Sequence, residues 1–325
     1  MKPGRSPHVF AICLASLLAC NPDPIITGSK PGGGAGGNGS GGATPNFMPP
    51  PRGGAPGGGG SGGMGPVGPS PSEFTPVDVG GFKLGDPLTG ATKDPALSSD
   101  MGCNLIVGVV RDFQGANVTG GHGDFEAFTG KTPTLNLVAA DLGADRKPVY
   151  ASKCEAAGML DATLCPFGAE TTTSANFDQW YRSTDGVNKP FLIYFMFQTV
   201  AGVSTFRSDH FFPLDNAGWG NTGEHNWGFT TELHTQFKYN GGETFTFTGD
   251  DDLWVFINKK LALDLGGLHP QATGTVNLDQ AAATLGITKG KIYPMELFHA
   301  ERHSTQSHFR VDTNFAFVDC GTIIQ

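Results

Sequence analysis

The feature that most limits what this chain can fold into is the stretch from residue 21 to 75. It runs KPGGGAGGNGSGGATP and then PPPRGGAPGGGGSGGMGPVGPSPS, with almost nothing apolar to bury. Such a segment cannot offset the entropy lost on ordering, so disorder is expected over residues 20–75. A glycine-rich coil of this length has an end-to-end distance of about 40 Å. Folding is thereby confined to residues 76–325. That is enough chain for one large β domain or two small ones.

The chain opens with Lys2 and Arg5, followed by the apolar run VFAICLASLLA at 9–19. This run is too short for an ordinary membrane-spanning helix and fits the middle of a secretory signal. It ends in Leu17-Leu18-Ala19-Cys20, which resembles the bacterial lipoprotein cleavage box. The resemblance implies a signal peptide over 1–19, cleavage before Cys20, and a lipid anchor on that sulfur. Asn21 stands where inner-membrane retention calls for Asp, which points to the outer membrane or the cell surface.

The formal net charge of −9 argues against nucleic acid as a partner, because that needs a basic footprint. Beyond Cys20 the cysteines are Cys103, Cys154, Cys165 and Cys320. Four cysteines allow three pairings, and an exported chain lives where disulfides form. Cys154 and Cys165 lie close enough to staple one loop. Cys103 and Cys320 bracket the domain and suit a bridge between its first and last strands.

Hydrophobic patterning from 103 onward predicts strands. CNLIVGVVRDF at 103–113 and FLIYFMFQ at 191–198 are continuous apolar runs, whereas TTELHTQFKY at 230–239 and ETFTFTG at 243–249 alternate. KPVYAS at 147–152 suggests a short extended piece. DLWVFINKKLALDL at 252–265 reads as a hairpin turning near Asn258-Lys259. IYPMELFHAER at 292–302 and SHFRVDTNFAF at 307–317 add two more strands. Helix is expected only over NFDQWYR at 176–182 and LDQAAATLG at 278–286. The fold class is therefore mainly β, an antiparallel sandwich of jelly-roll type with a few short helices.

Several segments together resemble the fibro-slime domain: RDF at 111–113, GDFE at 123–126, NFDQWYRSTDGVN at 176–188 and FFPLDNAGWGN at 211–221. HNWGFTTELHTQFKY at 225–239, GDDDLWVFINKKLALDLGGLHP at 249–270 and FHAERHSTQSHFRVDTNF at 298–315 continue the likeness in order. The C-terminal half also resembles the wider protective-antigen-type sandwich of anthrax toxin. The resemblance implies surface adhesion or carbohydrate binding, with a glycan, polysaccharide or matrix protein as partner. The alternative it leaves open is a structural matrix or protein-interaction domain that binds no sugar.

In calcium-dependent relatives two adjacent aspartates at the turn before DLWVFIN hold the ion, which also meets sugar hydroxyls. The resemblance carries that role to Asp250 and Asp251, with Ca2+ as the suspected cofactor. Three neighbouring carboxylates, Asp250-Asp251-Asp252, repel one another unless a cation relieves them, and a hard cation takes six to eight oxygens. Asp252 stands where many relatives have Gly. Asn258 and Asp264 are candidate further ligands. Glu232 and His234 share one face of a strand; His299, Glu301 and His303 share one face of another. Such sets suit either zinc or a buried polar network that locks strands together. Trp219, in a Gly/Asn-rich loop, and Trp254, beside the acidic turn, are candidate sugar-stacking rings. In DLWVFIN, Trp254 and Phe256 face opposite to Leu253, Val255 and Ile257, so they form either a second buried face or a partner surface. Within residues 76–325 no G-x-S-x-G or P-loop motif occurs, and no catalytic residue is assigned.

Overall fold

The computed structural model describes residues 69–89, 103–151 and 169–324. The signal segment, Cys20, most of the linker, and Cys154 and Cys165 lie outside the described residues. Two antiparallel sheets form the body. The larger contains β1 (Thr75–Pro76), β2 (Gly81–Pro87), β3 (Leu105–Phe113), β4 (Asn188–Met196), β7 (Phe229–Tyr239), β9 (Asp252–Ile257), β10 (Lys260–Leu265), β12 (Lys291–Glu301) and β14 (Ala316–Asp319). The smaller contains β5 (Gln198–Val200), β6 (Val203–Ser208), β8 (Thr244–Gly249), β11 (Ala272–Asn277) and β13 (Phe309–Thr313). Their orders are β1-β2-β4-β3-β7-β12-β9-β10, with β14 also on β7, and β11-β8-β13-β6-β5.

The main core lies between the sheets. Phe206, Phe245, Phe247, Phe309 and Val311 of the small sheet meet Leu253, Val255, Ile257, Leu233 and Leu297 of the large one. A second core lies on the outer face of the large sheet. There the connection 114–187 covers Trp254, Phe256 and Phe298 with Phe125, Phe177, Trp180 and Tyr181. This covering explains why β9 is buried at every position instead of at alternate ones. The Trp254/Phe256 face is thus a second core, and burial removes Trp254 as a sugar-stacking ring.

Local elements follow their sequence signals. Asn258 and Lys259 both take positive φ, +52° and +66°, as a two-residue hairpin turn with the strands' own twist requires. The helix α2 (Leu278–Leu285) is capped by the Asn277 side chain at its start and by left-handed Gly286 at its end. The other helix is shorter than expected. α1 (Ser174–Phe177) is capped by Thr173 and then unwinds into turns. Trp180 and Tyr181 are drawn into the second core there, which outweighs helix propensity. In 147–151 the pairing is a single bridge from Tyr150 to Val138.

A disulfide joins Cys103, just before β3, to Cys320, just after β14. Strand register sorts the connections between two ends of the sandwich. Glu301 pairs with Phe229, Ala300 with Asp252, and Phe113 with Asn188. The ends of connections 114–187, 209–228 and 302–308, with 250–251 and 266–271, therefore gather at one end, here the rim; the first also reaches the base, where the Leu142 N–H donates to the Lys259 carbonyl. Cys103, Cys320 and the short turn 258–259 lie at the other, the base.

Candidate functional site

Asp250 and Asp251 form the crossing from β8 of the small sheet to β9 of the large one. Asp251 takes φ +52°, a left-handed conformation that Asp tolerates better than most residues. Both residues line a cleft of about 230 Å³ with His269, His303, Thr305 and Gln306. Asp250 accepts hydrogen bonds from the His308 backbone N–H (2.6 Å) and pairs with His308 Nδ1 (2.7 Å). Asp251 accepts one from the Arg302 backbone N–H (2.9 Å).

Behind them lies Glu301, fully buried, with neither carboxyl oxygen receiving a hydrogen bond. Burial, and then the charges of Asp251 and Asp250, push its pKa well above the ordinary range. Burial likewise raises Asp251 to about 6, against the opposing pull of Arg302. Asp250 has His308 beside it and Asp251 has Arg302, whereas among the described residues no cation is paired with Glu301. Among the described residues no three His, Cys, Asp or Glu side chains converge as a ready-made metal cage.

The other candidate ligands are spent elsewhere. Asp252 points inward, accepts from Gly267 N–H (2.6 Å) and pairs with the buried Arg302 guanidinium (2.6 Å). Asn258 lies at the base, six β9 residues or about 20 Å from Asp251, and donates to the Leu285 carbonyl. Asp264 is buried in the second core's floor, accepting from Trp254 Nε1, Gly266 N–H and Asn136 N–H. Neither joins the cleft.

The glutamate and histidine sets separate into different places. Glu232 and His234 face the outer side of the large sheet, where Glu232 is bound by Arg111 (2.6 Å), Lys147 and His234. Burial opposes ionisation of Glu232, but those three partners hold it far below the usual carboxylate range. Burial also lowers Lys147 to about 8. His299 faces the inner core among Phe211, Phe229, Phe247 and Phe309, and burial drops it to about 3, so it is neutral. β12 ends at Glu301, which frees His303 to line the rim cleft. The two sets do not meet, so they form no shared zinc site.

Arg302 is the residue whose importance the sequence concealed. It is fully buried, sits 4.6 Å from the Trp180 ring centroid, and donates to the carbonyls of Asp124 and Glu170. Asp124 in turn accepts from Trp180 Nε1 and from Thr172. Arg302 thereby ties the acidic turn to the covering connection. An available signal was Arg111: a charged residue inside the continuous apolar run 103–113 demands a buried partner, and Glu232 supplies it.

Trp219 is 39% exposed, on the loop 209–228. The buried carboxylate of Asp112 accepts from its backbone N–H, and the Lys189 ammonium sits 3.7 Å from its ring centroid.

Comparison with known proteins adds to this geometry. Residues 212–322 match the family model described as PA14 domain. The matched PA14 segment holds Trp219, Asp250, Asp251 and His303, and meets the expected protective-antigen-type likeness of the C-terminal half. Protein psiD of Dictyostelium discoideum is 38% identical over 206 residues, covering 60% of this chain and 39% of that protein. Protein psiR of the same organism is 34% identical over 214 residues, covering 60% and 20%. The chain thus spans well under half the length of these relatives. The PA14 domain of the MpAFP antifreeze protein covers 72% of this chain and 98% of its own, at 9% identity and a TM-score of 0.26. At that score the likeness adds nothing to the fold already described.

Proposed function

We propose that this protein is a cell-surface adhesion module that binds carbohydrate through a calcium ion held at the Asp250–Asp251 turn. The observation that carries the reading is the rim cleft, which Asp250 and Asp251 line with the buried Glu301 close beside them. Asp250 and Asp251 would hold the ion, and calcium would supply a Lewis-acidic anchor for vicinal sugar hydroxyls. The PA14 match supports the reading, since such domains are often carbohydrate-binding or adhesion modules. The fibro-slime resemblance of residues 105–318 points the same way.

Binding is preferred to turnover on the placement of the carboxylates. Glu232 and Glu296 are buried on the outer face of the large sheet and paired with cations, while Glu301 lies behind the rim. No two of these stand free across one open cleft, as glycoside hydrolysis needs. Display follows from the sequence reading: export, a lipid anchor at Cys20, and a flexible spacer before the domain.

A calcium titration of the melting temperature tests the site. At a hundredfold excess over Kd, a ligand specific to the folded state adds about 2.7 kcal/mol, or about 5–10 °C for a domain of this size. Asp250→Ala with Asp251→Ala should abolish the shift and the calcium-dependent signal on a glycan array. A calcium shift without glycan binding would favour the matrix-protein alternative; no shift would remove the calcium mechanism.

A further inference from the structure

The rim carries more than one cleft. A second, of about 430 Å³, is lined by Pro87, Leu88, Asp185, Lys189, Phe191 and Trp219. A third, of about 40 Å³, lies on Phe113, Gln114, Asn117, Glu126, Trp219 and Trp227. Trp219 belongs to both and joins them. Glu126 belongs to the third cleft and accepts a hydrogen bond from Ser304, the neighbour of His303 in the calcium cleft. The Glu126 backbone N–H also donates to the Arg302 carbonyl. The three clefts therefore follow one another along the rim.

Strand order gives the length of this track. It runs from β4, which begins at Asn188, across β3, β7 and β12 to β9, which begins at Asp252. Four strand spacings correspond to about 19 Å. A single sugar ring cannot reach from Asp250 to Trp219, but a short chain of them can.

The tryptophan is also built to stay in place. Asp112 lies on a core strand, and burial raises its pKa to about 6. It nonetheless holds the Trp219 backbone N–H and the Asn226 side chain (2.8 Å). Lys189 steadies the ring and donates to the Gly218 carbonyl (2.9 Å). A half-exposed indole whose backbone is held by a buried carboxylate and whose ring is held by Lys189 has lost mobility that would otherwise oppose stacking on a ligand.

We infer that the rim is an extended track for a linear polysaccharide segment, with the Asp250–Asp251 end gripping one sugar and Trp219 stacking on another several units along. This rests on the carbohydrate reading above but adds a second, calcium-independent subsite and a chain-length requirement. Sugar-ring stacking on Trp219 supplies affinity that EDTA does not remove, and Asp185 and Lys189 are placed to meet hydroxyls beside it.

The test uses the full chain with its Cys103–Cys320 disulfide intact and a matched set of monosaccharides, disaccharides and hexasaccharides of α- and β-linked glucans and mannans. Affinity is read by calorimetry with calcium and with EDTA. The expected result is hexasaccharide binding at least tenfold tighter than disaccharide binding of the same linkage. Trp219→Ala should remove that gain while the melting temperature still rises on addition of calcium. Hexasaccharide should blue-shift tryptophan fluorescence in the parent and not in Trp219→Phe. Equal affinities for disaccharide and hexasaccharide, or a Trp219→Ala variant that binds hexasaccharide as the parent does, would overturn the track and leave the calcium reading standing. Hexasaccharide binding that is undiminished by EDTA and by Asp250→Ala, yet falls in Trp219→Ala, would keep the Trp219 subsite and remove the calcium reading. No binding of any probe overturns both.

Discussion

Glu170 lies against Asp252 and Arg302 under the rim, with one carboxyl oxygen on the Leu268 N–H and the other without a partner. Burial, and then the charge of Asp252, raise its pKa to about 7 despite Arg302. A folded-state value above the unfolded one means that the folded protein holds the extra proton. The associated stability is present in full below about pH 4.5 and is lost as pH rises through 7. Glu170→Gln keeps the acceptor for Leu268 and removes the charge. After allowance for partial solvent screening it should gain about 1–2 kcal/mol at pH 8, or about 2–8 °C, and gain little at pH 5. Melting curves at the two pH values check this; an equal gain at both would show that charge is not the cause.

At the scale of elements, the loop 209–228 is shaped by one close contact. Gly218 takes φ +58°, and a Cβ there would lie 1.9 Å from the Asp112 carboxylate. Gly218→Ala must therefore push away the group that holds Trp219. A cost of about 1–3 kcal/mol is expected from the strained conformation and the lost contact. Hexasaccharide affinity should fall as in Trp219→Ala, measured by the same calorimetry. The covering connection depends similarly on its aromatic anchor. Trp180 is fully buried against Phe125, Phe177, Trp254 and Arg302, so Trp180→Ala should cost about 3–5 kcal/mol, read by chemical denaturation. The strands behind these contacts were legible because alternation and apolar runs are local signals. The second core was not. Its partners come from separate segments, with Phe177 and Trp180 more than seventy residues before the Trp254 they cover, and the burial of Trp254 depends on what the chain places over it.

For the whole molecule, the bridge between Cys103 and Cys320 closes a loop of 217 residues. The entropy of so long a loop in the unfolded chain corresponds to about 5 kcal/mol in the chain-entropy model, with measured effects usually smaller. Reduction, or Cys103→Ser with Cys320→Ser, should lower stability by about 2–5 kcal/mol while leaving the rim's affinities intact. The sandwich and this bridge were readable because hydrophobic pattern and bracketing cysteines survive in one dimension. The acidic turn was readable only as a run of charge. Its division of labour, with Asp252 turned inward to Arg302 while Asp250 and Asp251 face the cleft, is set by strand twist and by an arginine fifty residues away.

The position of β1 has a mechanical consequence. Thr75 and Pro76 pair with Phe82 and Gly81, at the base, so the chain joins the domain at the end away from the rim. If the rim is held and the chain before Pro69 is pulled, load runs lengthwise through the sandwich. The two-residue β1–β2 ladder peels first, one hydrogen-bonded pair at a time. The load then reaches β2 on β4, where the pairs must slide together along the strand axis. The disulfide closes the base beyond that point, so β3 and the C-terminal strand cannot be drawn apart. The domain is thus arranged to yield a few residues under tension before it resists.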